Sequence, residues 1–325
     1  MRFVVFGAGA VGGVVGARLH QAGHDVALIA RGAHLQELQR SGLTLETPSE
    51  RTTLRIPTAG DPAELGVGTS GTDDVILLAT KSQDTAGALD ALQSAGAWDV
   101  PIVCMQNGVE NERLALRRFR SVYGAVIMAP TAHLRPGAVE AYGALASGMI
   151  DLGRYPEGSD EVAEQVAAAL SESQFRSRVW PDVMRLKYAK LILNLSNAVN
   201  ALVAADDRRD ELVARVIDEG RAALDAAGIE HRDDGVDDLA GRWAEIGVSD
   251  IDGRERAGSS TWQSLARGTG AVETDYLNGE IVLVGRLHDV PTPVNAAVCR
   301  LAAEQARGGA APGELSVDDI LAVAA

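Results

Sequence analysis

Arg2-Phe3-Val4-Val5-Phe6-Gly7-Ala8-Gly9-Ala10-Val11-Gly12 opens the chain, and the order of its parts decides the fold. A short apolar run reads as a buried strand, and a small-residue stretch reaching about Ala22 reads as a helix. Between them lies GxGxxG, and a second apolar run, His24–Ala30, follows. Strand, glycine turn, helix and strand together form one βαβ unit, a context that a glycine string alone lacks. In such a unit Gly7 permits the tight turn, Gly9 lets the backbone approach a pyrophosphate, and Gly12 lets helix and strand pack closely. The free N–H groups and positive end of the helix then face the phosphates, with Ala8, Ala10 and Val11 completing the loop. The competing reading is a glycine-rich turn with no ligand.

Outward from this motif the strand and helix signals keep alternating. Ala33–Arg40 and Thr85–Ser94 read as helices. Leu43–Glu46, Thr52–Ile56, Asp73–Thr80, Pro101–Gln106, Ser121–Met128, Val139–Tyr142 and Met149–Leu152 read as strands. Beyond Trp180-Pro181-Asp182 the pattern becomes helical: 183–205, 210–227, 233–246, 271–287, 293–306 and 316–324. Pro181 and Asp182 suit a helix start. The expected fold is α/β, an N-terminal Rossmann-type doubly wound sheet over 1–180 and an all-helical C-terminal domain over 181–325.

Composition narrows the partners. A formal charge of −15 disfavours nucleic acid and anionic membrane, which both need a basic footprint. Any anionic ligand must therefore be held by locally placed cations or backbone N–H groups. Cys104 and Cys299 lie in apolar contexts without a CxxC neighbour, and read as reduced, buried thiols of a cytoplasmic protein. No stretch is long enough to span a bilayer, and the glycines of the N-terminal run argue against a signal peptide. The apolar C-terminal helices are compatible with a homodimer.

Nucleotide preference is read at the end of the second strand. An NAD site places Asp or Glu there to bind the ribose hydroxyls, whereas this chain has Ala30-Arg31-Gly32. Arg31 can pair with a 2′-phosphate, and no carboxylate stands at that strand end, so NADPH is favoured over NADH. The alternative is a solvated surface arginine. Lys81 and Asn107-Gly108 follow two further strands and point to the same crevice; the competing readings are a strand cap for Lys81 and a chain turn for Asn107.

In the helical half, Lys190, Asn194 and Asn197 share a face of a helix that is apolar elsewhere. Buried amides and a buried amine need partners, which a carbonyl or anionic substrate would supply. Lys187, one turn earlier, is the rival, and a lysine snorkelling from a packed helix is the bland reading. Ser259-Ser260 with Gln263, and Glu273-Thr274-Asp275-Tyr276-Leu277-Asn278-Gly279, form a second polar cluster. Glu273 either favours a helix start by charge or orients a cleft lysine.

These residues in this order resemble the ketopantoate reductase (2-dehydropantoate 2-reductase) family over nearly the whole chain: GAGAVGG, Arg31, Lys81, Gln106-Asn107-Gly108, Lys190 to Asn194, Ser259-Ser260 with Gln263, and ETDYLNG. The resemblance implies NADPH-linked reduction of a small-molecule 2-oxo acid, normally ketopantoate to pantoate on the way to pantothenate and coenzyme A, without a metal. It implies that Lys190 is the general acid and that Asn107 lies between nicotinamide and substrate. Asn194 and Ser260 would hold the substrate, and Glu273 would bind the cofactor and orient the site. Three departures touch substrate contacts: Ala198 stands where the family commonly has a second asparagine, Asp206-Asp207-Arg208-Arg209 replaces a further one, and the segment from Gln263 to Glu273 is one residue longer. The alternatives are a same-family reductase of another 2-oxo acid, a β-hydroxy acid dehydrogenase of the same plan, and a non-catalytic NADP(H)-binding protein.

Overall fold

The computed structural model describes residues 1–69, 73–205, 207–231, 239–256, 258–268 and 270–325. They form two compact units, Met1–Met184 with Gly235–Arg256, and Arg185–Asp234 with Ala257–Ala325.

The first unit is built on β1 (Arg2–Phe6), α1 (Ala10–Gln21), β2 (Asp25–Ile29) and α2 (Gly32–Ser41), the βαβ unit and the helix after it. A hairpin of β3 (Leu43–Glu46) and β4 (Arg51–Leu54) follows, then β5 (Thr58–Ala59), β6 (Asp74–Leu78), α3 (Thr85–Ser94), β7 (Ile102–Cys104) and α4 (Asn111–Leu116). Next come β8 (Val122–Met128), β9 (Thr131–Arg135), β10 (Ala138–Ala141), β11 (Gly148–Arg154), α5 (Glu161–Glu172) and β12 (Phe175–Arg176).

Among the described residues the strands make two sheets. The larger runs β12-β11-β8-β7-β6-β1-β2-β5, parallel except where β11 meets β8, and the smaller runs β4-β3-β10-β9. The central strands β1, β6 and β7 are nearly continuous apolar runs because both faces of a parallel sheet are covered. Helix α1 lies between the two sheets, and glycine makes that possible. A Cβ on Gly16 would stand 2.6 Å from Leu28 of the larger sheet, and one on Gly13 would stand 2.7 Å from Val139 of the smaller. The smaller sheet was not legible as such: the sequence marks three of its strands but gives no sign that they leave the main sheet.

The second unit is helical. After α6 (Val183–Asn194) come α7 (Ser196–Leu202) and α8 (Asp207–Ala226). The segment with α9 (Leu239–Trp243) belongs to the first unit, and α10 (Ser260–Ala266), α11 (Asn278–Leu287), α12 (Pro293–Gly308) and α13 (Val317–Ala324) complete the second. One difference from the expected helices has a local cause. The helix expected over 183–205 breaks at Leu195, whose N–H turns to the Ile192 carbonyl, three residues back. The expected helix over 233–246 is seen as α9 alone, its residues 233–238 lying outside the described residues.

Residues 239–256, expected in the helical half, pack in the first unit through charge. The Arg242 guanidinium donates to Asp151 at 2.5 and 3.2 Å, both groups buried, and Asp151 also accepts from the Arg178 N–H and the Trp180 indole, each at 3.0 Å. Arg254 bridges Glu140 and Glu46 at 2.7 and 2.8 Å. Burial pushes the Glu46 carboxyl up, but hydrogen bonds from Arg254 and Arg135 outweigh this and hold it below the usual range. Cys104 is buried as expected, whereas Cys299 is only partly so. No described helix is long and apolar enough to cross a membrane.

Candidate active site

In the first unit, β7, β6, β1 and β2 are parallel neighbours, so their carboxyl ends share one sheet edge. The Gly7–Gly12 loop follows β1, Arg31 follows β2, Lys81 follows β6 and Asn107 follows β7. The topology thereby brings together every cofactor-side residue expected from the sequence except Glu273, which lies in the second unit.

The three motif glycines have three different reasons. Gly7 has φ +105°, and an added Cβ would lie 2.8 Å from the Thr80 nitrogen, where the ends of β1 and β6 converge. On Gly12 it would lie 2.2 Å from the Gly7 carbonyl and 2.9 Å from both Ala79 and Val5, so the requirement there is helix–strand packing. Gly9 differs from both. Its φ of −76° suits any residue, and its added Cβ would meet nothing closer than His133 Nδ1 at 4.0 Å. Among the described residues, neither a positive φ nor packing calls for glycine at this position. The space lies at the N-terminus of the 12-residue helix α1, whose first turn carries no acidic residue and whose N-cap, Gly9, has no side chain. An external anion approaching the backbone fits that arrangement, and a dinucleotide pyrophosphate is such an anion.

Around this cradle the polar side chains are ordered. His34 receives the Gly137 N–H on Nδ1 at 2.9 Å, so its Nε2 carries the proton and donates to the Ala8 carbonyl at 2.7 Å. The ring lies 4.3 Å from that of His133. Burial lowers the His34 pKa, with the bond to Ala8 opposing, and the ring is held neutral. Behind Asn107, the buried Asn111 donates to Ser82 Oγ at 3.1 Å and to the Asn107 carbonyl at 3.2 Å. It accepts from Thr85 at 2.7 Å, and Thr85 in turn accepts from Gln106 at 2.8 Å. This network ties the turns after β6 and β7 together. Arg31 is exposed, and its guanidinium makes a two-pronged ion pair with Asp84.

In the second unit, Lys190 Nζ donates to Asn194 Oδ1 at 2.9 Å, and the Asn197 amide approaches the same oxygen at 3.5 Å. Asn194 is buried, Lys190 and Asn197 half-buried, and Lys187 only 3% exposed. The three residues thus meet although the helix carrying them is broken. Ser259 caps α10 by accepting the Trp262 N–H at 3.2 Å and donates its hydroxyl to the Asn197 carbonyl at 3.0 Å, which places Ser260 at the start of α10 beside α7. Glu273 is buried and opens a short 3₁₀ turn, Glu273–Tyr276, before α11.

A model of the family described as ketopantoate reductase PanE/ApbA matches residues 3–157, and the C-terminal model of that family matches residues 182–306. The chain belongs to the ketopantoate reductase family. It is thus an oxidoreductase of a family acting on CH–OH groups. The 2-dehydropantoate 2-reductase of Mesorhizobium japonicum is 32% identical, with 94% of this chain and 99% of that one covered. That of Pyrococcus horikoshii is 27% identical, with 95% and 99% covered. A PanE/ApbA family ketopantoate reductase from Ralstonia eutropha superposes with a TM-score of 0.78 at 31% identity, covering 95% of this chain and 99% of that one. D-mandelate dehydrogenase, solved with NADH and anilino(oxo)acetate, shares the fold, with a TM-score of 0.75 at 24% identity over 95% of this chain and 98% of that one.

One buried residue beside the candidate site is not singled out by the sequence pattern. Asn278, fully buried, donates its amide to the Leu195 carbonyl at 3.1 Å and to Asn295 at 3.0 Å. It therefore satisfies an acceptor at the break between α6 and α7, one residue from Asn194. It belongs to the ETDYLNG stretch, but a hydrogen bond across 83 residues leaves no local periodicity to read.

Proposed function

We propose that the chain reduces a 2-oxo acid to a 2-hydroxy acid with NADPH, and that ketopantoate is the substrate and pantoate the product. The observation that carries this reading is the Lys190 ammonium held by Asn194, on a partly buried residue whose neighbours Ala189, Leu191 and Ile192 are buried. Lys187, 3% exposed, has the poorer access to a substrate.

When bound, the reduced nicotinamide supplies the hydride that reaches the keto carbon. The residues of the chain supply position and charge. Lys190 points its ammonium at the keto oxygen and gives up a proton as negative charge grows there, an interaction stronger in the transition state than with the neutral carbonyl. Asn194 fixes the ammonium and, with Asn197 and Ser260, would hold the hydroxyl and carboxylate of the substrate. In the first unit the Gly7–Gly12 loop and the start of α1 would hold the pyrophosphate, Arg31 would hold the 2′-phosphate, Lys81 would contact the cofactor, and Asn107 would lie between nicotinamide and substrate. Glu273 is the carboxylate that orients the lysine and the ribose of the cofactor. The N-terminal part, 1–180, serves as the nucleotide-binding domain and the helical part as the substrate domain.

A second reading, the same reduction of a different 2-oxo acid, is favoured by Ala198. It is buried at 1% exposure and offers no amide where the family pattern has one. A panel of 2-oxo acids assayed for NADPH oxidation separates the two. Ketopantoate is expected to give the highest kcat/KM, and dominance of another acid establishes the second reading. No turnover with any member refutes both.

A further inference from the structure

The Arg31–Asp84 pair is out of keeping with its surroundings. Asp84 ends the 3₁₀ turn Ser82–Asp84 that runs directly into α3, and its side chain makes no capping bond to that helix. Its two oxygens instead receive both prongs of Arg31, 53 residues earlier, at 2.8 and 3.2 Å. Arg31 is 82% exposed, and surface ion pairs of this kind contribute little to stability. The pair therefore has no evident structural role, and it stands where the carboxyl ends of β2 and β6 flank β1.

We infer that Asp84 is a nucleotide-specificity residue: it supplies, from the turn after β6, the carboxylate that is absent at the end of β2, so that the site accepts NADH as well as NADPH. The inference rests on the reading of the first unit as a nicotinamide-nucleotide site. Without a 2′-phosphate, Asp84 accepts hydrogen bonds from the ribose hydroxyls, the part a strand-end acid ordinarily plays. With one, the phosphate competes with Asp84 for the same guanidinium and meets a like charge beside it. Arg31 draws NADPH in, and Asp84 holds that preference down.

The test is fluorescence titration of the protein with NADPH and with NADH, without substrate, for the parent, Asp84→Asn, Asp84→Ser and Arg31→Ala. In both Asp84 variants NADPH is expected to bind roughly fivefold tighter and NADH a few-fold more weakly, so the NADPH:NADH selectivity rises about tenfold, or about 1.4 kcal/mol. The NADPH gain should shrink as salt rises. A selectivity within about twofold of the parent in both variants overturns the inference, at that threshold of about 0.4 kcal/mol. Arg31→Ala separates this failure from a deeper one. If it loses NADPH selectively while the Asp84 variants leave selectivity unmoved, the inference fails alone. If it weakens both nucleotides equally, Arg31 does not face the 2′ position, and the reading beneath fails with it.

Discussion

Gly9→Ala tests the nucleotide cradle without disturbing the fold. The added methyl would meet nothing nearer than His133 Nδ1 at 4.0 Å, and a φ of −76° is open to alanine. Alanine is a poorer N-cap than glycine by up to about 1 kcal/mol. Against that, the stiffer unfolded chain returns roughly 0.4–1 kcal/mol. Net stability should then move by less than about 1 kcal/mol, a Tm change within about 4 °C. The methyl occupies the space through which a pyrophosphate approaches the backbone, so charge-assisted hydrogen bonds worth about 1.5–3 kcal/mol are stretched or lost. Nucleotide affinity should fall roughly 10- to 150-fold. Gly12→Ala is the control, because its methyl would stand 2.2 Å from the Gly7 carbonyl. Overpacking there should cost about 1–3 kcal/mol or more and lower Tm by several degrees. Calorimetry and fluorescence titration of both variants decide the matter. If Gly9→Ala melts as early as Gly12→Ala, or binds NADPH like the parent, the space at Gly9 is not reserved for a ligand.

Three further outcomes are expected. Lys190→Ala should lower kcat by roughly 10²- to 10⁴-fold while leaving NADPH affinity within about twofold, and a loss confined to KM would remove Lys190 as proton donor. Asn278→Ala strands the Leu195 carbonyl, so urea unfolding should show a loss of about 1–3 kcal/mol, with kcat reduced more than nucleotide affinity; unchanged turnover would show that the break between α6 and α7 does not position Asn194. His34 has a folded pKa below its ordinary 6.5, so the unfolded chain binds more protons as the pH falls toward and through the folded value. Its contribution is complete above 6.5 and lost on acidification below it. Urea titrations from about pH 5 to about pH 8 should show a smaller acid loss in His34→Gln than in the parent, and parallel curves would refute the assignment of a neutral buried ring.

The parts of the fold that were legible are those whose signals are local. The βαβ opening, with Gly7 and Gly12 answering to backbone and packing demands, is written into a dozen adjacent residues, and α3 runs over the span that its pattern predicts, Thr85–Ser94. What the sequence hid depends on pairings between distant residues. Nothing in Val139 or Leu45 announces that β10 and β3 pair parallel in a second sheet, and nothing near Arg242 names Asp151 as its partner 91 residues away. The break after Asn194 was invisible for the same reason. Leu195 and Ser196 are ordinary helix residues, and the amide that binds the Leu195 carbonyl comes from Asn278. Of the candidate site, residue types at strand ends could be read, but the partner of Arg31 could not, since Asp84 lies on a different strand's turn.

That last pairing changes how a motif should be weighed. The absence of an acid at the end of β2 favours the phosphorylated nucleotide only on the premise that the acid must come from that strand. A parallel sheet does not impose the premise. β2 and β6 both border β1, so the turns after them open at the same edge, and a carboxylate from either can stand at the ribose. The charge that matters is the sum over side chains converging on that edge, where Arg31 and Asp84 pair with each other. If Asp84 acts as inferred above, specificity follows from how completely it neutralises Arg31 when the 2′ group arrives.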